Sequence, residues 1–199
     1  MKRLIVTALV VLLSFGCARQ EAPQFKGTDI TGASFGRQFA LRDHNGQPRT
    51  LADFQGKAVA IFFGYTHCPD VCPTTLSDLK AAMKLLGPVA AGRVQVLFVT
   101  VDPERDTPEV LRQYVPYFDP AFLGLYGTPD QVAEAAREFK VYYSRHTEAG
   151  ASGYLVDHTA ATYVFDPEGR LRLFWPYGLP AVDMAHDLGQ LLGLAPGKG

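Results

Sequence analysis

The chain has 199 residues, a formal net charge of -1 and 47% hydrophobic residues. Its length is sufficient for one domain with a hydrophobic core. The near-neutral charge gives no reason to propose a nucleic acid as a partner. The chain contains only three cysteines, which excludes a small secreted scaffold held together by several disulfides.

The N-terminus has the pattern of a targeting segment. Lys2 and Arg3 precede an apolar stretch over residues 4–15, and Gly16 precedes Cys17. The apolar stretch is shorter than the roughly 20 residues of a membrane span. We therefore predict a lipoprotein-type signal over residues 1–17, with Cys17 becoming the lipidated first residue. An ordinary cleaved signal and an uncleaved anchor are the alternatives, and all three export the domain.

The next segment, residues 18–36, is rich in Gly, Ala, Gln and Ser, which predicts a flexible tether. The folded domain is expected over residues 37–195. It begins with strands at 39–42 and 48–51, joined by the turn sequence His-Asn-Gly-Gln at 44–47. This pattern predicts an N-terminal β-hairpin.

The rest of the domain alternates between strand and helix patterns. A continuous apolar run at 58–63 indicates a buried central strand. The later elements follow in order: a helix from Cys72 to about 86, ended by Gly87-Pro88; a strand at 94–101; a helix at 108–116; a strand at 122–126; a helix from 129; a strand at 141–144; a loop at 146–153; strands at 159–165 and 171–175; and a helix at 180–194. This order predicts an α/β thioredoxin-like fold, with a mixed central sheet flanked by helices and an added N-terminal β-hairpin.

Two cysteines lie where the central strand gives way to a helix. Pro69 biases Cys68 away from helical geometry, and Pro73 suits the first helical turn, which places Cys72 near the N-cap. A helix N-terminus favours thiolate over thiol. Because a thiolate is both a nucleophile and a metal ligand, these residues alone leave metal binding and disulfide exchange open.

Three sequence blocks carry a resemblance to a known family. They are Y-T-H-C-P-D-V-C-P at 65–73, V-D-P-E-R-D-T-P at 101–108 and V-D-H-T at 156–159. In this order they resemble the signatures of the Sco/SenC proteins, and the resemblance extends from about residue 35 to 194. It implies a membrane-tethered, thioredoxin-like copper protein that helps to assemble the CuA centre of cytochrome c oxidase subunit II. It also implies Cys68, Cys72 and His158 as the metal ligands.

The chemistry of these three side chains fits a copper site. Two thiolates and an imidazole suit Cu(I) or Cu(II), whereas zinc normally takes a fourth ligand. The spacing of Cys68 and Cys72 also permits a redox-active disulfide. The expected partners are the CuA domain of cytochrome c oxidase subunit II, a second copper carrier and the membrane, reached through the N-terminal anchor, with no nucleic acid. The expected location is the outer side of the cell membrane.

Two other functions remain open at this point. A thiol–disulfide oxidoreductase would use Cys68 and Cys72 to reduce the CuA-site cysteines of the oxidase subunit. A peroxidase-like thiol protein is the second alternative, because peroxiredoxins share the fold.

Simpler roles are expected for other residues that could carry chemistry. We expect a supporting role for His67, a turn-fixing role for the charged residues at 102–106, and core positions for Met83 and Met184. The other histidines are expected to be solvated, namely His44, His146 and His186.

Overall fold

The computed structural model describes residues 24–147 and 153–194. Within these residues the chain forms four α-helices: α1 (Val71–Ala91), α2 (Pro108–Phe118), α3 (Pro129–Glu138) and α4 (Ala181–Leu191). The strands of the same residues are β1 (Thr28–Asp29), β2 (Leu41–Asp43), β3 (Pro48–Arg49), β4 (Ala58–Gly64), β5 (Val94–Thr100), β6 (Leu123–Tyr126), β7 (Tyr143–His146), β8 (Leu155–His158), β9 (Ala161–Phe165) and β10 (Leu171–Pro176). A short 3-10 helix covers Leu51–Phe54.

Eight of these strands form one mixed sheet in the order β1-β10-β9-β4-β5-β6-β2-β3. Strand β4 lies near its centre, pairing in parallel with β5 and antiparallel with β9. Every residue of β4 and β5 is buried. Because both faces of these strands are covered, their sequences are nearly continuous apolar runs. The predicted mixed sheet flanked by helices is confirmed.

The predicted N-terminal hairpin is also confirmed, since β2 pairs with β3. Its turn differs from our expectation at His44, which we predicted to be solvated and which is only 4% exposed. Strand β2 continues beyond the hairpin by pairing with β6. The backbone N–H of His44 donates to the carbonyl of Gly124, and the N–H of Gly124 donates to the His44 Nδ1 at 3.0 Å. This reciprocal pair holds the imidazole inside the protein.

The prediction of a tether over residues 18–36 is wrong from residue 24 onward. Strand β1 pairs antiparallel with β10 and forms an edge of the main sheet. The carboxylate of the buried Asp187 accepts hydrogen bonds from the backbone N–H groups of Lys26 and Gly27, at 2.7 and 2.8 Å. The segment composition could not show that α4 supplies this acceptor. The remainder of the predicted tether and Cys17 lie outside the described residues.

Helix α1 departs from the predicted helix at its C-terminal end. Gly87 interrupts the helix with a φ of 76° and a ψ of 163°, and helical structure then resumes through Pro88 to Ala91. The predicted break is therefore present, but the element continues for one more turn. Among the residues that the structure describes, no helix combines the length and the apolarity needed to cross a membrane.

Strands β7 and β8 form a separate two-stranded sheet, which we call the β7–β8 ribbon. The sequence pattern predicted one strand from residue 159, whereas the structure ends β8 at His158 and begins β9 at Ala161. The last residue of the ribbon therefore lies just before the chain enters the main sheet.

Candidate metal centre

The two cysteines lie at the junction between β4 and α1. Strand β4 ends at Gly64, Cys68 lies in the following loop, and Cys72 lies in the first turn of α1. Cys72 is fully buried, whereas Cys68 is partly exposed. A Cβ atom on Gly64 would lie 2.8 Å from the Cys72 Sγ. The missing side chain therefore lets this sulfur pack against the end of β4.

His158 comes to the same place from the end of the β7–β8 ribbon, 86 residues beyond Cys72. Its Nε2 lies 3.4 Å from the Cys72 Sγ. The two sulfurs and one His158 ring nitrogen all lie within 4.8 Å of one another. Within residues 24–147 and 153–194, no other group of three Cys, His, Asp or Glu side chains meets this condition. The structure thus brings together the three residues that the resemblance implied as metal ligands.

The orientation of the His158 ring is fixed by its surroundings. Its Nδ1 lies 3.2 Å from the carbonyl oxygen of Thr159. Because a carbonyl only accepts hydrogen bonds, Nδ1 donates a proton to this oxygen, and Nε2 is the ring nitrogen that faces the sulfurs. The rings of Phe62 and Tyr65 contact the imidazole edge-on, with centroids at 5.8 and 6.0 Å. A histidine held in this way is ready to act as a metal ligand.

The two sulfurs differ in protonation. A hydrogen bond from the Cys72 thiol lowers the pKa of Cys68 to about 3, and the backbone N–H of Cys72 also donates to the Cys68 sulfur. Burial raises the pKa of Cys72, and the neighbouring Cys68 raises it further. The sequence placed Cys72 nearest the helix terminus and so favoured a thiolate there. The structure instead gives the thiolate to Cys68, because Cys72 is shielded from water.

The loop that follows β5 forms hydrogen bonds with the cysteine loop, which we define as residues 65–70 between β4 and α1. The buried Asp106 carboxylate accepts hydrogen bonds from the Thr66 backbone N–H at 3.0 Å, the Thr66 hydroxyl at 2.6 Å and the Thr100 hydroxyl at 2.7 Å. Burial raises the pKa of Asp106, and these hydrogen bonds oppose that effect. These hydrogen bonds link Asp106 to the cysteine loop and to the end of β5. The turn-fixing role of residues 102–106 as a whole stays a prediction.

The SCO1/SenC family model matches residues 27–193, which is most of the chain. This chain belongs to the SCO1/SenC family. It is 42% identical over 176 residues to the mitochondrial SCO2 homologue of Mus musculus, covering 84% of this chain and 69% of that protein. It covers 66% of the corresponding proteins of Bos taurus and Homo sapiens, and 46% of the SCO2 protein of Saccharomyces cerevisiae.

Solved SCO1/SenC structures share the fold. The apo Sco1 protein of Thermus thermophilus is 47% identical, with a TM-score of 0.76, and the match covers 86% of this chain and 99% of that one. ScoI of Bradyrhizobium japonicum, solved with copper bound, is 38% identical, with a TM-score of 0.72 and coverage of 80% and 100%. The predicted thioredoxin-like fold is confirmed.

The remaining predicted residues of this SCO1/SenC protein lie outside the donor group. His67 is exposed, and its Nδ1 lies 3.1 Å from the Thr66 hydroxyl. His146 is also partly exposed, beside the Asp157 carboxylate at 3.2 Å. His186 is partly buried next to Asp187. Both methionines expected in the core are buried there, Met83 and Met184.

Proposed function

We propose that this SCO1/SenC protein binds copper through Cys68, Cys72 and His158 and assists assembly of the CuA centre of cytochrome c oxidase subunit II. The observation that carries this proposal is the convergence of two sulfurs and an imidazole nitrogen within 4.8 Å. Family membership and the copper-bound state of the Bradyrhizobium japonicum relative support it.

The chemistry of the donors suits Cu(I) and Cu(II). Thiolate and imidazole are preferred copper ligands, and a structural zinc site would need a fourth ligand. Cys68 already carries a thiolate, whereas the Cys72 thiol must lose its proton before its sulfur can bind a metal. Copper binding therefore releases a proton and strengthens as the pH rises.

The burial of the donors suits transfer of copper. Cys72 lies inside the protein, but Cys68 and His158 are only partly buried. A partner's ligands can therefore approach the metal from the side of these two residues. We propose the CuA domain of subunit II as the recipient and a second copper carrier as the donor.

An alternative function is thiol–disulfide exchange with the CuA-site cysteines. The observation in its favour is the pairing of an accessible Cys68 thiolate with a buried Cys72 thiol, which suits an attacking and a resolving sulfur. Exchange has no obligatory use for an imidazole ligand. Thiol–disulfide exchange alone therefore does not account for the fixed orientation of His158 toward the sulfurs.

The substitution His158→Ala separates the two functions. We expect it to lower copper affinity by more than the roughly 10–100-fold that loss of a supporting group costs, and to retain most reductase activity. Affinity is measured by chelator competition for both oxidation states, reductase activity on an oxidised partner peptide, and folding by thermal melt. His146→Ala is the matched control, because this histidine lies on the same ribbon outside the donor group.

Unchanged affinity for both oxidation states in a folded His158→Ala protein would overturn the three-ligand site. Oxidase assembly that survives His158→Ala but fails with Cys68→Ala would favour the reductase.

We also propose that the protein is held at the outer face of the cell membrane through a lipid on Cys17. The charged start, the apolar stretch and Gly16 before Cys17 support this proposal. Intact-mass analysis of the native protein tests it. A mass without lipid, from cleavage elsewhere, would contradict it.

A further inference from the structure

One face of the β7–β8 ribbon contacts the domain at several points along its length. In the ribbon, Tyr143 pairs with His158 and Arg145 pairs with Val156. Paired residues share a face and alternate residues share a face, so these four lie on the same side. Tyr154 immediately precedes β8 and lies on this side too, because the Arg145 guanidinium lies 4.9 Å from the centre of its ring. Val156 is buried in the core, and His158 meets Cys72 on this side. The opposite face carries Asp157, whose side chain is 70% exposed.

The far end of this face is held by Asp102. Its fully buried carboxylate accepts hydrogen bonds from the Tyr154 hydroxyl at 2.7 Å, from Arg145 at 3.3 Å and from the Arg105 Nε. Arg105 also stacks on the Tyr154 ring at 3.6 Å and donates to the Tyr154 carbonyl at 2.8 Å. We call these four residues, Asp102, Arg105, Arg145 and Tyr154, the Asp102 clasp.

The clasp is built on the same loop that supports the cysteines. The backbone N–H of Asp102 donates to the Thr100 hydroxyl at 2.9 Å, and that hydroxyl donates to Asp106 at 2.7 Å. Asp106 in turn holds Thr66 at the start of the cysteine loop. The two ends of one short loop therefore hold the two halves of the donor group, with Asp106 on the sulfur side and Asp102 on the imidazole side.

We propose that the Asp102 clasp is a positioning device that aligns the His158 imidazole with the two sulfurs. The inference rests on the proposed function for its copper readout, and Asp102, Arg145 and Tyr154 are its positioning residues. Tyr154 immediately precedes β8 and lies four residues before His158, or about 13 Å along an extended chain. The ribbon lies outside the main sheet, so the clasp fixes its far end while Val156 fixes its middle. Metal donors need placement to within about 0.5 Å.

Three substitutions test the clasp: Tyr154→Phe, Arg145→Met and Asp102→Asn. We expect each to shift the imidazole NMR signals of His158 in the metal-free protein and to lower Cu(II) affinity about 10-fold or more. Asp157→Asn, on the exposed face of the same ribbon, should change neither. Because Asp102 is fully buried, thermal melts accompany every variant. If Asp102→Asn does not fold, Tyr154→Phe and Arg145→Met decide the matter.

A double-mutant cycle distinguishes positioning from general stabilisation. Adding Tyr154→Phe to His158→Ala should cost no further copper affinity if the clasp acts through His158, whereas independent effects would add. Additive losses would overturn the proposal, as would unshifted His158 signals in folded Tyr154→Phe and Arg145→Met. The result that would overturn the proposed function is a different one, namely equal copper binding by the wild-type and His158→Ala proteins. The metal-free NMR comparison then still decides whether the clasp positions His158.

Discussion

Cys68 and Cys72 are four residues apart in the chain, yet their surroundings shift their pKa values in opposite directions. Cys68 accepts hydrogen bonds from the Cys72 thiol and backbone, so its pKa falls to about 3. Cys72 lies in the core, where burial raises its pKa. The metal-free site therefore holds one sulfur that is already charged and one that must still lose a proton.

This difference predicts selective alkylation in the metal-free protein. Because the pKa of Cys68 is lowered, its thiolate persists at every pH well above about 3 and is lost only as the pH falls through that value. We expect iodoacetamide to modify Cys68 first, at a rate that changes little between about pH 5 and about pH 8. Mass spectrometry of digested samples measures the rate at each site.

The matched control for this prediction is Cys68→Ser. In that variant, Cys72 should react slowly until the protein unfolds, because its side chain stays buried. Modification of Cys72 before Cys68 in the wild-type protein would contradict the prediction.

Gly64 predicts a second effect at the scale of a single residue. The Cβ of an alanine there would lie 2.8 Å from the Cys72 Sγ and 2.9 Å from carbons of both Phe62 and Phe98. Because these neighbours are packed, we expect Gly64→Ala to cost about 1–3 kcal/mol of unfolding free energy. We also expect weaker copper binding, because the sulfur must move. Urea unfolding and chelator competition measure the two effects.

Gly189 provides the control for Gly64. It lies inside helix α4, and a Cβ there would meet no atom within 4 Å. Gly189→Ala should therefore stabilise the protein by about 0.5–1 kcal/mol, with copper affinity unchanged. An equally well tolerated Gly64→Ala would refute the account of close packing around the Cys72 sulfur.

At the scale of elements, the N-terminal segment depends on close contact between Gly27 and Trp175. A Cβ on Gly27 would lie 2.2 Å from the Trp175 Cδ1. We expect Gly27→Ala to displace the segment and to break the hydrogen bonds that Lys26 and Gly27 donate to Asp187. The unfolding free energy should fall by about 1–3 kcal/mol.

Urea unfolding measures this loss, limited proteolysis near residue 27 detects the released segment, and Trp175 fluorescence reports the changed contact. Gly189→Ala again serves as the control. Wild-type stability together with wild-type proteolysis of Gly27→Ala would show that the segment does not depend on this contact.

The sequence was informative wherever an element carries its own local signal. The apolar runs predicted β4 and β5. In the structure, Thr107 and Thr128 cap α2 and α3, and each directly precedes a proline at the start of its helix. The two-residue strand β1 has no such signal, because it forms only against β10. His44 is buried for a similar reason, since its partner Gly124 lies 80 residues away in the chain.

The three proposed metal ligands could be predicted from sequence motifs, whereas the Asp102 clasp that we propose to position His158 could not. Motifs containing Cys68, Cys72 and His158 resemble a family, so the ligands could be predicted without any geometry. The Asp102 clasp was missed, although the V-D-P-E-R block contains both Asp102 and Arg105. The available signal was the alternate spacing of Tyr154, Val156 and His158 along the chain, and its meaning depends on knowing that β7 pairs with β8.

At the scale of the whole molecule, the Cys68 and Cys72 sulfurs are expected to exist either as thiols that bind copper or as a disulfide that does not. Cys68 and Cys72 are free cysteines, and their sulfurs lie within 4.8 Å of each other. We predict that oxidation forms a reversible Cys68–Cys72 disulfide and abolishes copper binding, because both sulfur donors are consumed. Alkylation mass shifts before and after reduction count the free thiols, and copper titration of each form measures binding.

His158→Ala is the control for this oxidation, because it should still form the disulfide. The prediction fails if the air-oxidised, metal-free protein keeps two free thiols or if the disulfide form binds copper as well as the reduced form does.

The division of the donor group between two distant segments also sets the order of events during synthesis. His158 leaves the ribosome 86 residues after Cys72. A nascent chain therefore carries both sulfurs long before the imidazole, and the three-donor site forms only when the ribbon has reached the finished sheet. Copper bound by all three residues, as we propose, would therefore mark a fully folded molecule. Because the metal would bind that state in preference to the unfolded chain, copper loading would slow detachment of the ribbon and protect the protein from degradation.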